Sequence, residues 1–89
     1  MLIKEYCPKA STSIVVILEG NYDSSFKKIM RLVRIAKKDF PNLKLAPKDF
    51  RIECYSGPRR RGLFGIEFEV PVGQVPDGYQ RISETERRF

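Results

Sequence analysis

The stretch 26–40 has the clearest periodicity in the chain, and it predicts one amphipathic helix. Apolar side chains recur there at the i, i+3, i+4 and i+7 spacing that places them on a single helix face. They are Phe26, Ile29, Met30, Val33, Ala36 and Phe40, with Leu32 and Ile35 widening the stripe. Asp23-Ser24-Ser25 can cap the first-turn amides, and Pro41 ends the helix at about Phe40.

Short runs of apolar residues predict strands on both sides of this helix. Residues 13–19 are rich in β-branched side chains and are followed by the turn dipeptide Gly20-Asn21. Because this run is apolar on both faces, we place it centrally in a sheet. The runs 50–55 and 63–70 alternate apolar and polar residues and are separated by a short loop, which predicts an antiparallel hairpin. An even register of that hairpin places Arg51 and Glu53 opposite Glu67 or Glu69, on the face away from the Phe and Ile side chains.

The order strand, helix, strand, strand predicts an α+β fold with a βαββ core. We expect an antiparallel three- or four-stranded sheet with one long amphipathic helix packed on one face. Residues 2–7 add a short edge strand that stops at Pro8. Residues 1–75 are expected to form this single domain, and residues 76–89 a charged, flexible tail. An apolar strip on the other sheet face would need the tail, a partner or a second copy as cover, and we expect a homodimer through that open face.

Composition narrows the class of partner. The chain has 89 residues, with 17 basic and 11 acidic side chains and a net charge of +6, which favours polyanions such as nucleic acid. The longest apolar run, residues 14–18, is too short to span a bilayer, so no membrane partner is expected. The start of the chain does not read as a secretory signal, and the two cysteines read as reduced thiols. We therefore expect a cytoplasmic protein.

The chain contains no histidine, which argues against an enzyme. Histidine is the commonest general base and a frequent metal ligand, and two isolated cysteines do not make a zinc site. No pattern of carboxylates or lysines indicates another catalytic group. We expect no catalytic residue, no metal, no cofactor and no small-molecule substrate.

Three consecutive arginines, Arg59, Arg60 and Arg61, lie in the loop of the predicted hairpin. Gly57 and Gly62 bound this loop, and the planar guanidinium group binds phosphate oxygens in pairs. The preceding aromatic residue, Tyr55, is placed to stack on a base. The loop is interpreted as a phosphate-binding tip; a charged, solvated turn is the alternative.

A second set of cations lies on the outer face of the predicted helix. Six basic residues fall within twelve positions that contain no acid. Four of them share one face: Lys27, Arg31, Arg34 and Lys38. Like charges at this spacing do not stabilise a helix, so they indicate either a solvated face or a surface for phosphates or an acidic partner.

Two resemblances favour RNA. The octapeptide Arg61-Gly62-Leu63-Phe64-Gly65-Ile66-Glu67-Phe68 resembles the conserved octapeptide of the RNA recognition motif, and Leu63 and Gly65 occupy its stacking positions. Residues 26–70, with Gly62-Leu63-Phe64-Gly65 before the last strand, are similar to the N-terminal domain of Jag-type RNA-associated proteins. Both resemblances imply RNA binding by a small α+β domain.

The sequence therefore predicts a small basic module that binds nucleic acid, RNA rather than DNA, with low sequence specificity. The arginine loop would hold the phosphate backbone, and the helix cations would provide a second contact. The alternative is a non-catalytic protein-interaction or regulatory subunit that dimerises or docks an acidic partner.

Overall fold

The computed structural model describes residues 2–21, 26–55, 63–73 and 75–83, without the side chains of residues 21, 26, 53–55, 63 and 64. The fold is mixed α+β, with one helix and a five-stranded sheet. Its elements are β1 (Leu2–Ala10), β2 (Ser13–Asn21), α1 (Phe26–Asp39), a 3-10 turn (Pro47–Asp49), β3 (Arg51–Tyr55), β4 (Leu63–Pro71) and β5 (Gln80–Arg81). The strands lie in the order β3-β4-β2-β1-β5, and only the β1–β5 pair is parallel.

The α+β class is as predicted, but the sheet is larger than the antiparallel three or four strands expected. The order β2-α1-β3-β4 retains the strand, helix, strand, strand arrangement. β1 does not stop at Pro8, which pairs with Ile14 just before a register shift. A proline is tolerated there because the described residues of β5 pair with Glu5 and Tyr6, and no described strand pairs with the outer edge of β1 at Pro8.

Helix α1 covers one face of the sheet, and the main core lies between them. β2 contributes Ile14, Val16 and Leu18 to this core, and β4 contributes Ile66, Phe68 and Val70. The helix contributes Ile29, Leu32 and Ala36 from the predicted apolar stripe, followed by Phe40 just past its end. The helix ends at Asp39, one residue before the predicted position, and Asp23-Ser24-Ser25 lies outside the described residues.

Aromatic rings surround Phe68 at the centre of this core. The Phe68 ring centroid lies 5.5 Å from that of Phe40 and 5.3 Å from that of Phe50, both in edge-to-face arrangements. Phe40 meets Tyr79 in the same way at 5.7 Å. These rings connect the end of α1, the segment before β3 and the C-terminal segment through one cluster, an arrangement that aromatic quadrupoles favour.

The hairpin of β3 and β4 has an even register. Arg51 lies opposite Glu67, and Arg51 Nη2 is 3.1 Å from Glu67 Oε2 on the sheet face away from the helix. Arg51 opposite Glu67 is one of the pairings that were predicted. Glu53, however, lies opposite Gly65, so the strands are shifted by two residues from the register that would set both Arg51 and Glu53 against glutamates.

The apolar strip on the face away from the helix is buried within the single chain. Cys7, Val15 and Ile17 pack there with Ile82, and each is no more than 3% exposed. Ile82 follows β5, and its amide donates to the Tyr6 carbonyl oxygen at 2.9 Å. Of the three covers expected for the strip, the tail is therefore present, and the homodimer remains a prediction.

The described part of the C-terminal segment is integrated in the fold beyond the boundary expected at residue 75. Gln80 and Arg81 form β5, and Val75 and Tyr79 pack against the main core. Residues 84–89 lie outside the described residues. In the ranges that are described, no helix combines the length and apolar character needed to cross a membrane.

Candidate functional site

The four cations predicted to share a helix face do so. Lys27, Arg31, Arg34 and Lys38 are all exposed. At 3.6 residues per turn they occupy an arc of about 60°, centred on the side of α1 opposite the buried Leu32 and Ala36. We call these four residues the basic stripe.

The cations of the basic stripe form no ion pair with any described acid. In the part of the chain that the structure describes, none of its four cations forms an ion pair; the described pairs are Lys4–Asp39, Lys9–Glu69 and Arg51–Glu67. Like charges three and four residues apart cost a helix a few tenths of a kcal/mol each. The stripe therefore makes no contribution to folding through ion pairs, and its charges face solvent.

The arginine loop falls largely outside the described residues. Arg59, Arg60 and Arg61 belong to 56–62, of which nothing is described, and only the backbone of Tyr55 is described. Tyr55 and Leu63 form the last pair of the hairpin before the loop. Asn21, at the end of β2, also pairs with Leu63, so the loop joins the sheet at the end from which the chain leaves for α1.

The sheet face away from the helix does not suit a phosphate backbone. Gly65, at one of the stacking positions implied by the RNA recognition motif resemblance, lies between Glu19 on β2 and Glu53 on β3. Glu19 and Glu67 are buried on this face, and the exposed Glu69 lies next to Val15 in the register. The basic stripe and this acidic face are therefore on opposite sides of the molecule.

A cluster at the end of α1 was missed by sequence reasoning. Asp39 Oδ2 accepts a hydrogen bond of 2.7 Å from the Tyr79 hydroxyl and lies 3.0 Å from Lys4 Nζ. Burial opposes ionisation of Asp39, but these two hydrogen bonds together with the positive charges of Lys4 and Lys38 hold the pKa of Asp39 below its ordinary value. Burial and the nearby Asp39 carboxylate raise the pKa of Tyr79. The cluster is a structural tie between β1, α1 and the C-terminal segment.

An apolar groove of about 370 Å³ lies between α1 and β3, and it was not predicted either. Ile29 and Ile66 form its buried floor, and Met30 and Val33 line its helix side. Ile52 lines its strand side and is 61% exposed. Sequence reasoning assigned these side chains to the core because their spacing matches a buried face. Their partial exposure depends on how far the helix covers β3.

The described side chains do not indicate a metal centre, since no group of three or more His, Cys, Asp or Glu residues among them could hold an ion. Cys7 is buried, and its thiol donates to the Pro8 carbonyl oxygen at 3.5 Å. Across the sheet Cys54 pairs with Phe64, Phe64 with Gly20 and Gly20 with Leu2, which lies five residues before Cys7 on β1. The three strand spacings alone separate Cys54 from β1 by about 14 Å, which exceeds the Cα–Cα distance that a disulfide allows.

Comparisons with known proteins give no relative for this chain: no family model, no curated protein and no solved structure matches it.

Proposed function

We propose that the protein is a small, non-catalytic nucleic-acid-binding module that contacts the phosphate backbone. The observation that carries this proposal is the basic stripe: four exposed cations on one helix face, none of them paired with an acid in the described ranges. A net charge of +6 provides attraction at longer range.

The dimensions of the basic stripe suit a nucleic-acid strand. Lys27 and Lys38 are eleven residues apart, which corresponds to about 16 Å along a helix axis. Each strand of a duplex carries one phosphate per ~3.4 Å of duplex axis, so about 16 Å of that axis corresponds to about five phosphates on one strand. Contacts of this kind position a strand without reading its bases, and we expect low sequence specificity.

The arginine loop provides the second contact in this proposal. Arg59, Arg60 and Arg61 would each hold a phosphate through two parallel hydrogen bonds, and Tyr55 would stack on a base. We favour RNA over DNA on the two sequence resemblances, and a cytoplasmic location because the two cysteines are expected to be reduced thiols. The acidic sheet face would point away from the nucleic acid.

A protein-interaction module is the second candidate. The groove between α1 and β3 favours it, because this groove exposes Ile52 on a strand at the edge of the sheet. In this alternative the basic stripe would dock an acidic partner or steer its approach.

Fluorescence anisotropy with labelled single-stranded RNA, single-stranded DNA and duplex, across a salt series, tests the proposal. Two double variants carry the same loss of charge: Lys27→Gln with Lys38→Gln in the basic stripe, and Lys44→Gln with Lys48→Gln in the exposed connection after α1. We expect the slope of log K against log salt to fall by about 0.7 for each single-strand phosphate contact removed, in the first variant only. The triple variant Arg59/Arg60/Arg61→Ala measures separately how much the arginine loop contributes to oligonucleotide binding.

Equal losses in the two double variants would mean that only net charge matters, and the basic stripe would not be an interface. No binding of any oligonucleotide at about 0.15 M salt would reject the nucleic-acid function and leave the protein-interaction module as the leading candidate.

A further inference from the structure

Strand β3 presents a free edge. It is the terminal strand of the sheet, hydrogen-bonded to β4 on one side and to no described strand on the other. The unpaired amides and carbonyls of such an edge are a template for another extended chain. Many proteins protect an edge strand from pairing with charged side chains. On its helix-facing side β3 carries the exposed Ile52 instead.

The groove lies directly beside this edge. Its floor is apolar and buried, at Ile29 and Ile66, and its helix wall is formed by Met30 and Val33. Its volume of about 370 Å³ lies within the range of small binding pockets, ~300–1,000 Å³. A strand added to β3 would direct every second side chain to the groove side, because side chains alternate between the two faces of a sheet.

The charges around the groove are positive. Lys37 lines it and is exposed, and Arg34 is exposed one turn after Met30. None of the described residues that line the groove is acidic. Asp49, in the adjoining 3-10 turn, accepts a hydrogen bond of 2.7 Å from the Ala46 amide through its carboxylate. An occupant with carboxylates next to its apolar side chains would match this pattern.

We propose that an extended acidic segment of a partner protein adds to the free edge of β3 and inserts alternate apolar side chains into the groove. Backbone hydrogen bonds to β3 supply affinity, and the groove selects the apolar residues. Lys37, which lines the groove, favours an acidic side chain at the groove-side position next to the apolar ones, two residues along the added strand. The residues that line the groove are distinct from those of the basic stripe, so either proposal can fail without the other.

The test uses the fluorescein-labelled peptide Glu-Thr-Val-Thr-Val-Thr-Glu, whose valines and glutamates share one face of an extended strand, with lysine in place of both glutamates in the charge-reversed control. Binding to the full chain is followed by anisotropy and by backbone amide NMR shifts up to about 1 mM peptide. We expect the acidic peptide to bind, the lysine peptide not to bind, and the shifted amides to lie in β3 and along α1.

Ile52→Asp is the diagnostic variant, and Val72→Asp is its matched control. Ile52 is 61% exposed and Val72 is 57% exposed, so both variants should fold. Of the two, only Ile52 lines the groove. We expect at least a tenfold loss of peptide affinity for Ile52→Asp and less than a twofold change for Val72→Asp. Lys37→Glu should lower the peptide affinity severalfold. Lys38→Glu, on the basic stripe, should leave that affinity unchanged.

Several results would overturn the proposal. Absence of binding up to that concentration, equal binding of the lysine peptide, or equal effects of the two aspartate variants would each reject it. A concentration-dependent dimer that Ile52→Asp dissolves, with no peptide bound, would assign the groove to a second copy of the chain. Loss of oligonucleotide binding in Ile52→Asp, without peptide binding, would assign it to nucleic acid.

Discussion

The Tyr79 hydroxyl donates a hydrogen bond of 2.7 Å to Asp39 Oδ2 and so joins the end of α1 to a residue forty positions later in the chain. Asp39 is the last helical residue, where the helix dipole disfavours a negative charge. The ammonium group of Lys4, 3.0 Å from the same oxygen and 5.4 Å from the Tyr79 ring centroid, offsets that cost. The three side chains hold the C-terminal segment where β5 can pair with β1.

Removing the Tyr79 hydroxyl should destabilise the fold without changing it. Tyr79→Phe keeps the ring contact with Phe40 but leaves Asp39 with one hydrogen-bond donor fewer. We expect a loss of about 1–2 kcal/mol in the free energy of unfolding, since the acceptor is charged and partly buried. Urea unfolding measures this loss.

Tyr6→Phe is the control for that measurement, because the Tyr6 ring packs against the same core and its hydroxyl has no hydrogen bond within the described ranges. An equal loss in both variants would mean that the Asp39 contact adds nothing specific.

The lowered pKa of Asp39 predicts a specific loss of stability in acid. The fold favours the ionised carboxylate of Asp39. Its contribution to the free energy of unfolding is therefore complete above the ordinary pKa of 3.8 and is lost as the pH falls through the lower pKa of the folded state. Asp39→Asn should therefore be less stable than wild type at about pH 7, with a difference that shrinks at about pH 3. Urea unfolding at both pH values measures the difference. A difference that does not change with pH would contradict the coupling of Asp39 ionisation to folding.

Phe68 should be the most sensitive position of the core. Its side chain is 1% exposed and meets two aromatic rings, so Phe68→Ala should cost about 3–5 kcal/mol and can unfold the chain. Phe68→Leu, which should cost about 1.5 kcal/mol, keeps the prediction measurable by thermal or urea unfolding. Ile52→Ala, at an exposed position, should cost less than about 0.5 kcal/mol. Similar losses at the two positions would disagree with the described core.

Ile82 should protect the thiol of Cys7. Both residues are buried in the cluster on the sheet face away from the helix. In a Cys54→Ser background, Ile82→Asp should loosen the segment after β5 and speed the reaction of Cys7 with a thiol reagent at least tenfold in native buffer. Sedimentation of the same variant shows whether the uncovered strip makes the chain dimerise, as the sequence suggested. Unchanged thiol protection would mean that Ile82 is not the cover.

The periodic elements of this fold could be predicted, because burial of one face imposes a period on the sequence. The apolar stripe of α1 and the two-faced apolar run of β2 identified a helix and a central strand. The alternation of the two hairpin strands placed Arg51 opposite Glu67 or Glu69, and the structure pairs it with Glu67. The basic stripe was equally accessible, since helical spacing alone places its four residues together.

β5 could not be predicted, because two residues carry no periodicity and their partner strand is more than seventy residues earlier in the chain. β1 also continues through Pro8, because no described strand pairs with its outer edge at that residue. The pairing of a strand edge cannot be read from the local sequence. The groove was hidden for a related reason: Met30 and Ile52 have the spacing of core residues, and only the position of α1 over the sheet leaves them partly uncovered.

The sequence by itself determined the amphipathic helix with its cationic outer face, the hairpin strands on either side of the arginine loop, and the absence of histidine chemistry. Only the tertiary structure decided that Ile82 covers the sheet face away from the helix, that Tyr79 and Lys4 meet Asp39, and that β3 lies at the edge of the described sheet beside a groove. Local periodicity reports which side of an element must be buried. Which distant segment buries it depends on long-range packing, to which residues far apart in the chain contribute together.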